Sequence, residues 1–83
     1  VITVRFFASL REQLGTGELE VAAAGVPTVA ALVERLSAER GEAWREALSV
    51  PQLIVAINHQ VTDRAAALAD GDEVALFPPV TGG

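Results

Sequence analysis

Cysteine, methionine, tyrosine and lysine do not occur in the 83 residues, and His59 is the single histidine. Without cysteine there is no disulfide, thiolate nucleophile, iron–sulfur ligand or cysteine-based zinc site. One histidine cannot build a histidine-rich metal centre. Without lysine there is no Walker-type phosphate loop and no Schiff-base chemistry. Positive charge is also scarce: six arginines stand against eleven acidic residues, a formal net charge of -5. The electrostatic attraction to phosphate backbones that supports nucleic-acid binding is therefore missing, and docking onto a basic protein surface is expected instead. No apolar run approaches the ~20 residues of a membrane span, and the start, VITVRFFAS, lacks a basic segment followed by a signal-like core. A cytoplasmic protein, with no membrane and no nucleic acid among its partners, is expected.

What is present is apolar: 51% of the residues are hydrophobic. A chain of this length can bury about 60% of its unfolded surface, enough for one modest core and one domain. Residues 1–8 alternate as a half-buried strand, with Ile2, Val4 and Phe6 inward and Thr3, Arg5 and Phe7 outward. Ser9 and Glu12 have the spacing of a capping box, which predicts a short helix over about 9–14 stopped by Gly15. Residues 18–23 alternate again, placing Leu19, Val21 and Ala23 on one face of a second strand antiparallel to the first. Thr28 is a helix cap, and Val29, Leu32, Val33 and Leu36 follow at helical spacing up to a glycine stop at Gly41. Trp44, Ala47 and Leu48 repeat that spacing briefly before Pro51. Leu53–Ile57 reads as a third strand, Asp70–Gly71–Asp72 as a turn and Glu73–Phe77 as the last strand. The order strand, strand, helix, strand, strand predicts an α+β fold of β-grasp type: a mixed sheet, one main helix on one face, and the first and last strands side by side at the centre. A ferredoxin-like split is the competitor, and it needs a second full helix where residues 62–69 supply two turns at most.

The end of the chain, FPPVTGG, carries the most information. Pro78 and Pro79 lack amide donors and fix their backbone, so they end strand pairing and send the chain outward. The division expected is a domain over 1–79 and an extended tail over 80–83. At a glycine frequency of about 7%, two terminal glycines arise by chance in about half a percent of chains. Gly82 and Gly83 carry no side chain, so Val80, Thr81 and Gly82 can thread a narrow channel and deliver the Gly83 carboxylate into it. That carboxylate becomes an acyl donor once it has attacked the α-phosphate of ATP, and a sulfur nucleophile replacing AMP leaves a thiocarboxylate. The side chains of this chain need add nothing to that chemistry. Parallel pairing of the outer strands would also bring Phe7 against Phe77 outside the core, with Ile54 beside them if Leu53, Val55 and Ile57 face inward. A docking patch for a partner is expected there, with Pro78 at the root of the tail and Arg11 at its rim.

The opening VRFFASLRE followed by Gly15–Thr16, the strand ending in Asn58, the stretch LADGDEVALFPPV and the terminal TGG together resemble the molybdopterin synthase small-subunit family, ubiquitin-like sulfur carriers of molybdenum-cofactor biosynthesis. The resemblance runs over nearly the whole chain. The terminal diglycine alone is shared with thiamine-type sulfur carriers and ubiquitin-like modifiers, which stand as the alternatives. What the resemblance implies is a ubiquitin-like β-grasp and a non-catalytic subunit. Its Gly83 would be adenylated by an E1-like enzyme, converted to a thiocarboxylate by a sulfur-donating enzyme and used on cyclic pyranopterin monophosphate in the large subunit. ATP would serve the adenylating partner; no resident cofactor and no metal are expected, and the chain alone is expected to be a monomer.

The remaining polar residues have plainer assignments. His59, between Asn58 and Gln60, belongs in a turn. Ser9, Ser37 and Ser49 are explained by capping or surface placement. Glu34, Glu39, Glu42 and Glu46 are spaced as a solvated helical face, and Trp44 is a core plug.

Overall fold

The structure, a computed structural model, describes residues 1–79. Eight elements follow one another: β1 (Ile2–Phe6), α1 (Ala8–Leu14), β2 (Glu18–Val21), α2 (Val29–Arg40), α3 (Glu42–Leu48), β3 (Ile54–Ile57), β4 (Gln60–Thr62) and β5 (Glu73–Phe77). The five strands form one mixed sheet in the order β2-β1-β5-β3-β4. β1 and β5 run parallel at its centre and the other pairs are antiparallel, the β-grasp arrangement expected from the element order. No helix among the described residues is long and apolar enough to cross a membrane.

Alternation within the strands decides which face is covered. Ile2, Val4 and Phe6 of β1, Val74 and Leu76 of β5 and Val55 of β3 are at most 1% exposed. They join Leu10 and Leu14 of α1, Leu32 and Leu36 of α2, and Trp44 and Leu48 of α3 in one cluster. Phe6 meets Trp44 edge to face with ring centroids 5.3 Å apart, so Trp44 plugs the core as its spacing implies, and the Arg40 guanidinium lies over that ring, 5.2 Å from its centroid. The Thr28 hydroxyl accepts the Ala31 amide at 3.2 Å and starts α2, a cap worth about 1 kcal/mol. Gly41 ends α2 at φ 103, ψ -172. Its φ is positive, as a glycine stop requires, but its ψ is extended because the same residue opens α3, its carbonyl accepting the Arg45 amide.

Two local expectations are corrected. The Ser9 capping box does not form: Phe7 is the residue before α1, no side chain caps the helix, and Ser9 falls inside the first turn. Phe7 stays extended because its amide donates to Leu76 O across the sheet. The chain therefore turns abruptly at Ala8, with φ 53, and the Leu10 and Arg11 amides bond to the Phe7 carbonyl. The second correction is β4, which adds a fifth strand to the four expected. Asn58 and His59, at φ 49 and 72, form a two-residue hairpin turn that brings Gln60 opposite Ile57. Thr62 ends β4, and residues 63–69 contain turns and a single bridge from Ala67 to Thr28, and no helix, which removes the ferredoxin-like competitor.

Candidate functional site

The sheet face away from the core cluster carries the residues that alternation turns outward. Arg5 lies opposite Ala75, and Phe77 opposite Ile54. Phe7 continues the outward set of β1 one residue beyond the strand, and its ring stacks on Phe77 with centroids 4.5 Å apart and planes 12° from parallel. Phe7, Phe77 and Ile54 are each half-buried and together form one apolar row across three strands. A second row runs alongside: Ala75 faces Ala56, and Ala56 faces Val61 of β4, which is 77% exposed. Sequence reasoning brought Phe7, Phe77 and Ile54 together correctly. It missed Val61, whose place in the patch depends on β4, and Ala56, which follows Ile54 on the outward side of β3. The pair Asn58–His59, two residues that tolerate positive φ, was the available signal for that hairpin.

Charge borders this apolar strip. Arg5 Nε sits 3.1 Å from Glu18 Oε1 and 3.6 Å from Glu73 Oε2, and His59 Nε2 is 3.6 Å from the same Glu73 oxygen. These pairs are solvated and add little stability, but they fix which side of the patch is polar. Beneath them Asn58 clamps the start of β5. Its side chain donates to Asp72 Oδ1 at 3.0 Å and accepts the Glu73 amide at 3.0 Å, while its own amide donates to Glu73 O at 2.8 Å. The Asp72 carboxyl is held below the usual carboxylate range, first by the Ala69 amide and then by the Asn58 side chain. Asn58 thus acts on the register of β5 and hence on where Phe77 lies.

Arg11 is exposed on α1 and shares a shallow groove of about 340 Å³ with Arg5, Phe6, Phe7, Gly17 and Glu18. Pro78 is half-buried and follows Phe77 directly, so the chain leaves β5 at the stacked rings. Val80, Thr81, Gly82 and Gly83, the residues assigned to threading and to acyl chemistry, lie outside the described residues. Among the described residues no His, Asp and Glu side chains are grouped to hold a metal ion. His59, Ser9 and Ser49 are exposed on separate elements and form no nucleophile–base pair. The arrangement offers a recognition surface at the root of the terminal segment.

Comparison with known proteins matches the model of the ThiS family to residues 4–83. The molybdopterin synthase sulfur carrier subunit of Escherichia coli (strain K12) is 47% identical over 83 residues, all of each chain. Among solved structures, small archaeal modifier protein 1 of Haloferax volcanii superposes with a TM-score of 0.74 at 28% identity, covering 95% of this chain and 97% of that one. A protein–protein complex of subunits 1 and 2 of molybdopterin-converting factor from Helicobacter pylori contains a chain with a TM-score of 0.67 at 28% identity, covering 99% of this chain and 97% of its own.

Proposed function

Because the chain belongs to the ThiS family, we propose that it is the sulfur-carrying small subunit of a molybdopterin synthase, acting in the cytoplasm and supplying no catalytic side chain. The observation that carries the reading is the stacked Phe7–Phe77 pair on a sheet face that no other described element covers, directly before Pro78–Pro79 and the diglycine of the sequence. An apolar aromatic centre with a charged border is the composition of a protein-binding surface. Its position at the root of the terminal segment means that a partner seated on it receives that segment in a defined direction. The full-length similarity to the Escherichia coli carrier and the similarity to a chain of the Helicobacter pylori complex support the same reading.

The chemistry belongs to the Gly83 carboxylate. On an adenylating enzyme that binds ATP, the carboxylate oxygen attacks the α-phosphate, pyrophosphate leaves and an acyl-adenylate forms. A sulfur nucleophile supplied by a sulfur-donating enzyme adds to the activated carbonyl and AMP leaves, so the carboxylate oxygen departs with the phosphate and sulfur takes its place. In the large subunit the thiocarboxylate sulfur bonds to a carbon of cyclic pyranopterin monophosphate in place of an oxygen substituent. Water then cleaves the bond between that sulfur and the Gly83 carbonyl, so that sulfur stays on the pterin on the way to the dithiolene of molybdopterin and the Gly83 carboxylate is restored. The carrier's own residues do the positioning: Phe7, Ile54, Phe77 and Pro78 hold the partner, Arg11 contacts its rim, and Val80, Thr81 and Gly82 pass through the channel.

Similarity to the archaeal modifier favours a second reading, attachment of Gly83 to lysines of target proteins. Mass spectrometry of the protein from its own host separates the two. Oxygen replaced by sulfur at the carboxyl end supports the carrier. An isopeptide bond to a target supports the modifier, and an unaltered carboxylate refutes both.

A further inference from the structure

Each arginine but one has a partner inside the described residues. Arg5 is paired with Glu18 and Glu73, Arg45 with Glu34 at 3.1 Å, and Arg35 donates to the carbonyls of Ala22 and Ala24. Arg64 donates to Val50 O at 2.6 Å, and Arg40 lies over the Trp44 ring. Arg11 alone has no carboxylate, carbonyl or aromatic partner among the described residues, in a chain whose net charge is -5. Its guanidinium is nevertheless not loose in space. A Cβ built on Gly17 would come 2.8 Å from Arg11 Nε, 3.1 Å from Cζ and 3.4 Å from Cδ. The end of the Arg11 side chain therefore lies against the bare backbone of Gly17. Gly17 is held in turn, since its carbonyl accepts the Phe6 amide at 3.0 Å. Unlike Gly15, Gly25, Gly41 and Gly71, Gly17 does not have a positive φ, so backbone conformation does not demand glycine here.

We infer that Gly17 is a positioning residue: its missing side chain lets Arg11 lie flat across the β1–α1–β2 junction and present an unneutralised guanidinium, beside Phe7, to a carboxylate of the protein that covers the Phe7–Phe77 face. The partner's acceptor is a carboxylate because a planar guanidinium with its own donors unspent matches that group in geometry and charge. The groove around it is lined on one side by the already paired Arg5 and Glu18, so Arg11 is the cation left free there. The inference rests on the docking surface proposed above, and it assigns to Gly17 a task that its backbone angles do not explain.

The test is a cycle of Gly17→Ala, Arg11→Ala and the double variant. Affinity for the large subunit is measured by calorimetry, and the Arg11 Nε–Hε resonance and its cross-peak to the Gly17 α-protons are followed by NMR. Alanine is sterically allowed at residue 17 once the flexible arginine tip moves, so Gly17→Ala is expected to melt like the unaltered chain. It is expected to lose the cross-peak, shift the Arg11 resonance and weaken binding about tenfold, as Arg11→Ala does. In the Arg11→Ala background the Gly17 change is expected to have no further effect on affinity. An unshifted Arg11 resonance in Gly17→Ala, unchanged affinity, or an equal loss with and without Arg11 overturns the inference. If the unaltered chain does not bind the large subunit at all, the docking reading fails instead, and the carboxylate partner with it; the NMR result then decides the Gly17–Arg11 contact by itself.

Discussion

Replacing Phe6 and Phe7 by alanine, one at a time, separates folding from docking at two adjacent positions with the same side chain. Phe6 is 1% exposed and packs edge to face on Trp44, so Phe6→Ala removes a fully buried ring and leaves a cavity in the main cluster. The expected loss of stability is about 3–5 kcal/mol. Phe7 is half-buried, and in the free domain its main loss is the stack on Phe77 at 4.5 Å, worth about 0.5–1.5 kcal/mol. For a domain of this size about 1 kcal/mol lowers the melting temperature by roughly 4–8 °C, so the Phe6 variant is expected to fall several times further than the Phe7 variant. Binding reverses the order. Phe7→Ala or Phe77→Ala removes an aromatic anchor from the centre of the interface and is expected to weaken association with the large subunit by about 1–4 kcal/mol. Because the two rings touch, the double variant is expected to cost less than the sum of the singles. Thermal melts of the free domain and calorimetric titration with the large subunit supply every number. If Phe7→Ala melts as low as Phe6→Ala and binds normally once folded, the assignment of sheet faces to function is wrong.

Deleting Gly83 is expected to abolish adenylation, read as ATP–pyrophosphate exchange with the adenylating enzyme, while leaving the melting temperature unchanged, since the core cluster lies within Ile2–Leu76. Normal exchange in the deletion variant would refute Gly83 as the acyl site. Gly82→Val, which adds a β-branched side chain where a narrow channel must be passed, is expected to block activation or sulfur delivery at unchanged stability, and full synthase activity would show a wider channel. Asp72 has a carboxyl pKa lowered in the folded state by the Ala69 amide and the Asn58 side chain. Its ionised form therefore stabilises the fold above the unfolded value of about 3.9, and that contribution is lost as pH falls through the lower folded value. Asp72→Asn is expected to flatten the fall in melting temperature as pH drops below about 4, and an unchanged acid limb would refute it.

The faces of the long elements were legible because each repeats its pattern locally. Five residues of β1 and five of β5 are enough for a period of two to assign Phe6 inward and Phe7 outward, and twelve residues of α2 are enough for a helical stripe. The same is true of the exit at Pro78–Pro79, since a missing amide ends pairing whatever the surroundings. Three-residue β4 was not legible: all of its side chains are exposed, so it has no burial alternation, and its strand character comes from pairing with β3. The Ser9 cap failed for a related reason. A local motif competed with the Phe7 amide's bond to Leu76 O, a partner nearly the whole chain away, and the long-range bond set where α1 begins.

By itself, then, the sequence determined the alternation of faces, the single main helix with its Thr28 cap, the outward aromatic at each central strand and the diglycine end, because each of these depends on neighbours within a few residues. Only the tertiary structure decided that Phe7 and Phe77 stack, that Ala56 and Val61 extend the same surface, that Asn58 clamps β5, and that Gly17 lies under Arg11. These contacts join residues whose separation in the chain carries no periodic signal, and their partners are fixed by the register of parallel β1 and β5, by the antiparallel pairing of β3 with β5 and β4, and by the path of the turn between α1 and β2.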